Sequence, residues 1–356
     1  MISYDNLIAL GATSVTLTYL RPQGRELERS WRVSAPNSTT AFQQAGGTAG
    51  AEPRGGVTWA ADVEASWRIA GFDRADVHDE VVYTFTTYAG HTVVAGIRPA
   101  AGAREPVWLL GPLAVRRTGR TLTAALTAKR ADRLSALLQR AVLDVDRVIP
   151  SWHGALVAFA PRTRAQFGRV LAAPPAEYAG IAAVTTTVDG SASPRAPVAI
   201  VVNPPVFDTL SPLGRHVVIS HEATHDATGV AARPVPAWVA EGFADYVGVG
   251  SVDVPVSVSA GDVIAAVRRH GPPAALPGSA AFDLGGARLE TAYEEAWLAC
   301  RVIAGRYGQP ALVRFYQRVV RQPHDVAGAF AAVLHTTQAR FTGEWRRYLV
   351  RLAAHD

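Results

Sequence analysis

The sequence predicts an α+β protein in which an antiparallel sheet comes first and a second sheet, followed by helices, comes after. Two observations carry this: apolar residues alternate with polar ones through the first third of the chain, and further on they recur every three or four positions. The change of grain near residue 110 divides the chain into an N-terminal antiparallel-sheet domain, 1–110, and a C-terminal domain, 111–356, in which a sheet backs a helical site.

Taken in order, Val15, Leu17 and Tyr19 alternate with Ser14, Thr16 and Thr18. Val63, Ala65, Trp67 and Ile69 alternate with Asp62, Glu64, Ser66 and Arg68, and Val81, Tyr83 and Phe85 follow the same rule. Period two with polar partners marks strands with one wet face. The stretches RPQGR (Arg21–Arg25) and TYAGHT (Thr87–Thr92) supply turns, and residues 35–56, rich in Gly, Ala, Thr and Pro, read as a flexible insert. Beyond residue 110 a strand near Arg120–Ala128 precedes a helix on which Leu134, Leu137, Leu138, Ala141, Val142 and Val145 step by three and four. GALVAFA is a further strand, and PRTRAQFGRVL a helix with Pro161 suited to its start. IAAVTTTV and PVAIVVNP are two more strands. The second either lines a cleft, where an extended peptide could add to it, or lies inside the sheet. Everything after it is mainly helical.

Composition narrows the function. With 356 residues, 49% hydrophobic and 18% charged, the chain can build two compact cores. It contains no run of about 18 apolar residues, so no membrane span is expected, and its first thirty residues lack the basic-then-apolar order of a secretory signal. The net charge is +5, but the basic residues are almost all Arg, with Lys129 the single lysine, and they are scattered among acids. That distribution argues against a nucleic-acid partner. One cysteine, Cys300, rules out an internal disulfide and a cysteine-ligated metal; its neighbours AWLACRVIAG make it a helix-core residue.

The chemistry concentrates in VVISHEATHDATG, Val217–Gly229. On a helix, residues four apart share a face, so Val217, His221 and His225 form one stripe with the imidazoles stacked along it. Two ring nitrogens can then occupy adjacent corners of a zinc tetrahedron. Glu222 projects about a hundred degrees away, near enough to reach a water at the metal's open position. This is the His-Glu-x-x-His pattern of zinc hydrolases; the alternative is a buried polar helix face with satisfied histidines. Sixteen residues after His225, PAWVAEGFADYVG places Glu241 as a third ligand and Asp245 one turn later, where its carboxylate could accept the free N–H of a ligating histidine. Gly229 and the prolines that follow suit a helix stop and a turn back. His216 lies off the ligand stripe.

The segments VVISHEATH and WVAEGFADY resemble the gluzincin metallopeptidases, specifically the peptidase-MA-like group related to the aminopeptidase N and leukotriene hydrolase type. ETAYEEAWLACRVIAGRYG is similar to that family's tyrosine-bearing helix. The resemblance covers about residues 112–355. It implies a zincin-like C-terminal domain, one Zn²⁺ per chain on His221, His225 and Glu241, Glu222 as general base, Tyr293 as oxyanion stabiliser, and a peptide or protein substrate. No Gly-x-Met-Glu-Asn stretch occurs, and the His225 to Glu241 gap is shorter than in the aminopeptidases, so aminopeptidase activity is not implied. The N-terminal third resembles the nuclear-transport-factor-like domains that accompany such peptidases in exported actinobacterial proteins. The resemblance favours an extracytoplasmic place; with no export signal among the first residues, the expectation is that either the address lies upstream of Met1 or the protein stays in the cytoplasm. Tyr293 has a second reading, as a first-turn aromatic behind a Thr291/Glu294 capping box. Tyr246, His270 and His335 are further candidate donors. Two other functions fit the same residues: a catalytically idle zincin-fold scaffold, and a zinc hydrolase of a non-peptide substrate.

Overall fold

A computed structural model of the chain describes residues 2–23, 31–33, 57–88, 91–174 and 176–355. Gly24 and Arg25 of the first expected turn, the insert 35–56, and Ala89 and Gly90 of the second turn lie outside the described residues. The first unit opens with helix α1 (Ile2–Ala9), which the period-two pattern does not reveal. Strands β1 (Ala12–Gln23), β2 (Trp31–Val33), β3 (Val57–Ile69), β4 (Val77–Tyr88) and β5 (His91–Pro99) then form one antiparallel sheet in the order β2-β1-β3-β4-β5. Alternation works as expected: Val63, Ala65, Trp67 and Ile69 are buried, while Arg68 is exposed. The indole N–H groups of Trp67 and Trp108 both donate to Oδ2 of the buried Asp79, at 2.6 and 2.8 Å. That shared acceptor ties β3 and β4 to the segment leading into the second unit.

There, β6 (Ala114–Thr118), β7 (Thr121–Ala125), helix α2 (Ala128–Val148), β8 (Leu156–Ala160), helix α3 (Arg164–Leu171), β9 (Ala183–Thr187) and β10 (Val198–Val202) build a second sheet, ordered β6-β7-β8-β10-β9. Strands β7, β8 and β10 run parallel, while β6 and β9 are antiparallel edges. Two sequence expectations sharpen here. The α3 cap is Thr163, whose hydroxyl accepts from Gln166 N–H at 3.2 Å, so Pro161 precedes the cap and does not start the helix. PVAIVVNP is the interior strand β10, and the edge belongs to β9, the IAAVTTTV strand.

Because side chains alternate along a strand, this sheet feeds two cores. Leu156, Ala158, Ala160, Ile200 and Val202 face a core shared with the helices; Val157, Phe159, Ala199 and Val201 face a core shared with Trp67, Trp108 and α3. After β10 come α4 (Pro204–Phe207), α5 (Pro212–Thr228), α6 (Ala237–Gly248), α7 (Val256–Ser259), α8 (Gly261–His270), α9 (Leu289–Tyr307), α10 (Gln309–Arg321), α11 (Val326–Leu334) and α12 (Gln338–His355). The molecule is thus mixed α+β, with an antiparallel sheet first and a mostly helical C-terminal part. Among the described residues no helix is long and apolar enough to cross a membrane.

Candidate metal centre

Helix α5 has clean ends. Ser211 caps it by accepting from Gly214 N–H at 3.0 Å, Pro212 sits in the first turn, and Gly229 closes it in the left-handed region at φ 68°. Its back face is clamped to α2: Asp144 Oδ2 accepts from Ser220 Oγ at 2.7 Å and lies 2.6 Å from His216 Nε2. His216 therefore serves helix packing, away from the ligand stripe.

Helix α6 returns alongside α5 at unusually close range, and two glycines permit it. A Cβ on Gly248 would stand 2.8 Å from the Val217 carbonyl oxygen, and one on Gly242 would stand 2.4 Å from the Ala296 carbonyl oxygen of α9. Helix α6 is thus wedged between α5 and α9, carrying Glu241 to the histidines.

The three donors meet. His221 Nε2 and His225 Nε2 are 2.9 Å apart, and Glu241 Oε2 lies 3.2 and 3.3 Å from them. The imidazole planes cross at 84°. Three ligands each about 2.0–2.1 Å from one tetrahedral ion would stand about 3.3 Å apart, so the observed triangle fits such an ion to within about half an ångström. His221, His225 and Glu241 are close enough together to hold a metal ion. Asp245 Oδ1 lies 2.7 Å from His221 Nδ1, so that when the ring is neutral Nδ1 would keep the proton and the Nε2 lone pair would face Glu241 and His225.

Electrostatics agree with a cation there. Burial opposes a charged His221, yet the Asp245 and Glu241 carboxylates outweigh it and hold the His221 pKa well above its ordinary value. Burial likewise works against an ionised Glu241, and the two histidines overcome it, so its pKa is driven far down. The surroundings of His221 and Glu241 therefore favour positive charge between them, as a proton on His221 or as a metal ion that displaces it.

Glu222 is 8% exposed, and burial pushes its pKa up against the opposing pull of His221, His225 and a hydrogen bond from Thr185. Thr185 Oγ1, on the edge strand β9, is 2.6 Å from Glu222 Oε2. No motif flags Thr185, because its partner is distant in sequence. Tyr293 completes the group. Its ring centroid is 6.1 Å from that of His221 and is met edge-on by Phe282 at 5.4 Å. Burial first, and then the carboxylates of Glu241, Asp245 and Glu222, push its phenol far above the ordinary tyrosine value, so it is a protonated donor.

The capping-box reading of Tyr293 does not hold. Helix α9 begins at Leu289, ahead of Thr291, and the Glu294 carboxylate accepts from Val263 N–H at 2.7 Å and Asp262 N–H at 3.4 Å, capping α8 instead. Of the weaker donor candidates, Tyr246 gives its proton to Gln309 Oε1 at 3.1 Å, and His270 and His335 are exposed. Trp238 is buried and packs on Phe315 and Phe330. The structure thus gathers His221, Glu222, His225, Glu241, Asp245 and Tyr293, expected from separate stretches, around one point. His221, His225 and Glu241 are thus three donors close enough together to hold a metal ion, and the buried Glu222 follows His221 on the same helix. Comparison of the chain with protein-family models, curated proteins and solved structures finds no match.

Proposed function

We propose that the chain is a zinc metallopeptidase of the gluzincin type, hydrolysing peptide bonds with Glu222 as general base. The observation that carries this is Glu222, a buried carboxylate that is not one of the three donors yet interacts electrostatically with His221, His225 and Glu241. A site built only to hold a structural ion has four protein ligands and no use for such a group. Two imidazoles and one carboxylate suit zinc. Zinc held there supplies Lewis acidity toward water and the scissile carbonyl.

The chain's own groups do the rest. Glu222 takes a proton from the attacking water and passes it to the leaving amine. Tyr293, kept protonated, donates to the oxyanion that develops on the carbonyl oxygen. Asp245 holds His221 in the ligating tautomer. The outer side of β9 presents main-chain groups on which an extended peptide can lie as a further strand.

Metal content measured together with turnover of a mixed peptide library tests the proposal. About one zinc per chain is expected, with His225→Ala losing it, since two remaining ligands hold the ion too weakly. Wild-type protein that retains no zinc after loading and dialysis, or that is loaded yet cleaves no peptide, overturns the reading; the second result favours an idle scaffold.

A further inference from the structure

Thr185 lies midway along β9, its backbone in register with Ile200 of β10, and its hydroxyl meets residue 222 at both ends. Oγ1 is 2.6 Å from Glu222 Oε2 and 2.9 Å from the Glu222 main-chain oxygen. A hydroxyl has one proton and serves one acceptor at a time, and the side-chain oxygen, at the shorter distance, is the better acceptor. Among the described residues no other hydrogen bond reaches the Glu222 carboxylate. The neighbouring threonines are engaged elsewhere: Thr186 Oγ1 accepts from Arg104 at 3.1 Å, and Thr187 Oγ1 donates to the Ser191 carbonyl at 2.9 Å. Of the three consecutive threonines, only Thr185 is hydrogen-bonded to the metal helix.

We infer that Thr185 is the positioning residue for the general base: its hydroxyl pins Glu222 Oε2, so that Oε1 is the oxygen that receives the proton of the attacking water. This deepens the hydrolase reading and rests on it. A carboxylate held at one oxygen cannot rotate about its terminal bond without breaking that contact, so the second oxygen keeps one direction. In the first step a water O–H bond breaks and the Oε1–H bond forms, while the water oxygen bonds the carbonyl carbon and the C=O π pair moves onto the carbonyl oxygen as the oxyanion. The C=O bond then re-forms as the C–N bond breaks, its pair leaving on nitrogen, which takes the Oε1 proton, and the carboxylate is restored. Thr185 retains its own proton throughout and donates to Oε2 before and after. The contact also sets the base against the strand edge that would align a peptide, so base and substrate share one reference.

The test compares Thr185→Val, which keeps the shape and removes the hydroxyl, with Thr185→Ser, which keeps the hydroxyl, in the full zinc-loaded chain on the library peptide cleaved best by wild type. A loosened base is misplaced by up to about an ångström, which costs up to about a hundredfold in rate. Thr185→Val should therefore lower kcat by about tenfold to a hundredfold with KM, zinc content and melting temperature close to wild type. Thr185→Ser should restore kcat to within about threefold. Wild-type kcat in Thr185→Val overturns the inference. So does a loss of kcat that tracks a loss of zinc or of melting temperature without rescue by serine, which would make Thr185 a packing residue. Activity in wild type that disappears in Glu222→Gln while Thr185→Val stays fully active sinks the role of Thr185 alone. A loaded wild-type chain that cleaves nothing sinks the hydrolase reading and this role together.

Discussion

At the scale of single residues, Glu222 and Tyr293 differ from His221, His225 and Glu241 in that each can be altered without touching one of the three donors. Glu222→Gln keeps the size and the Thr185 contact but cannot accept a proton. It should retain zinc and melting temperature while kcat falls by about a hundredfold to ten-thousandfold. Hydrolysis at the wild-type rate would remove Glu222 from the chemistry. For Tyr293 the missing hydroxyl is the whole change in Tyr293→Phe. Losing one oxyanion donor costs about 3–4 kcal/mol of transition-state stabilisation, so kcat should drop by about a hundredfold or more at nearly constant KM. Unchanged kcat, with any effect confined to the melting curve, would leave Tyr293 as packing against Phe282. His221, Glu222 and His225 are legible in the chain because their spacing and the helix pitch are both local. Thr185 and Asp144 are not, since each meets α5 only through the sheet edge or the neighbouring helix.

At the scale of elements, the wedge of α6 between α5 and α9 decides whether Glu241 reaches the histidines. In an exposed helix Gly→Ala gains up to about 1 kcal/mol of helix propensity. At Gly242 the added methyl would sit 2.4 Å from the Ala296 carbonyl oxygen and 2.6 Å from its carbon, backbone atoms that no rotamer change can clear. Overpacking of this kind costs about 1–3 kcal/mol, so the clash wins. Gly242→Ala should lower the melting temperature and weaken zinc retention, because Glu241 is the next residue and moves with it. Gly250→Ala, where a Cβ meets nothing within 4 Å, is the control and should do neither. Equal behaviour of the two variants, by thermal melting and metal content, would show that the close approach is not what places Glu241. Elements also show where pattern reading stops: a run of apolar residues identifies β9 and β10 as strands, and only hydrogen-bond pairing makes β9 the edge.

At the scale of the whole molecule, the N-terminal sheet is bound to the rest through a buried polar point. Desolvation of Asp79 raises its carboxyl to about 6 despite two indole donors. Its folded pKa lies above the unfolded value, so the folded state holds the proton more tightly. The contribution to stability is complete below about pH 4 and is lost as pH rises through about 6, amounting to no more than about 3 kcal/mol. Asp79→Asn, which still offers one oxygen to Trp67 and Trp108 but does not ionise, should flatten that part of the profile. Denaturant unfolding of metal-free protein between pH 4 and pH 7 measures it, wild type against variant. Parallel profiles would show that Asp79 does not carry the dependence.

Taken alone, the sequence determined the properties that are periodic or local: alternation in β3, the stepped face of α2, the left-handed stop at Gly229, and the two histidines on one helical face. These depend on backbone geometry within a few residues, which the chain specifies wherever it folds. Tertiary structure alone decided that α1 precedes the first sheet, that Glu294 caps α8, that His216 is bound to Asp144, and that Thr185 bonds Glu222. Each of these turns on which distant groups are brought to within about 3 Å, the range at which hydrogen bonds act. That range is set by helix and sheet packing: by Gly242 and Gly248 letting backbones close on α6, and by one sheet presenting alternate residues to two cores.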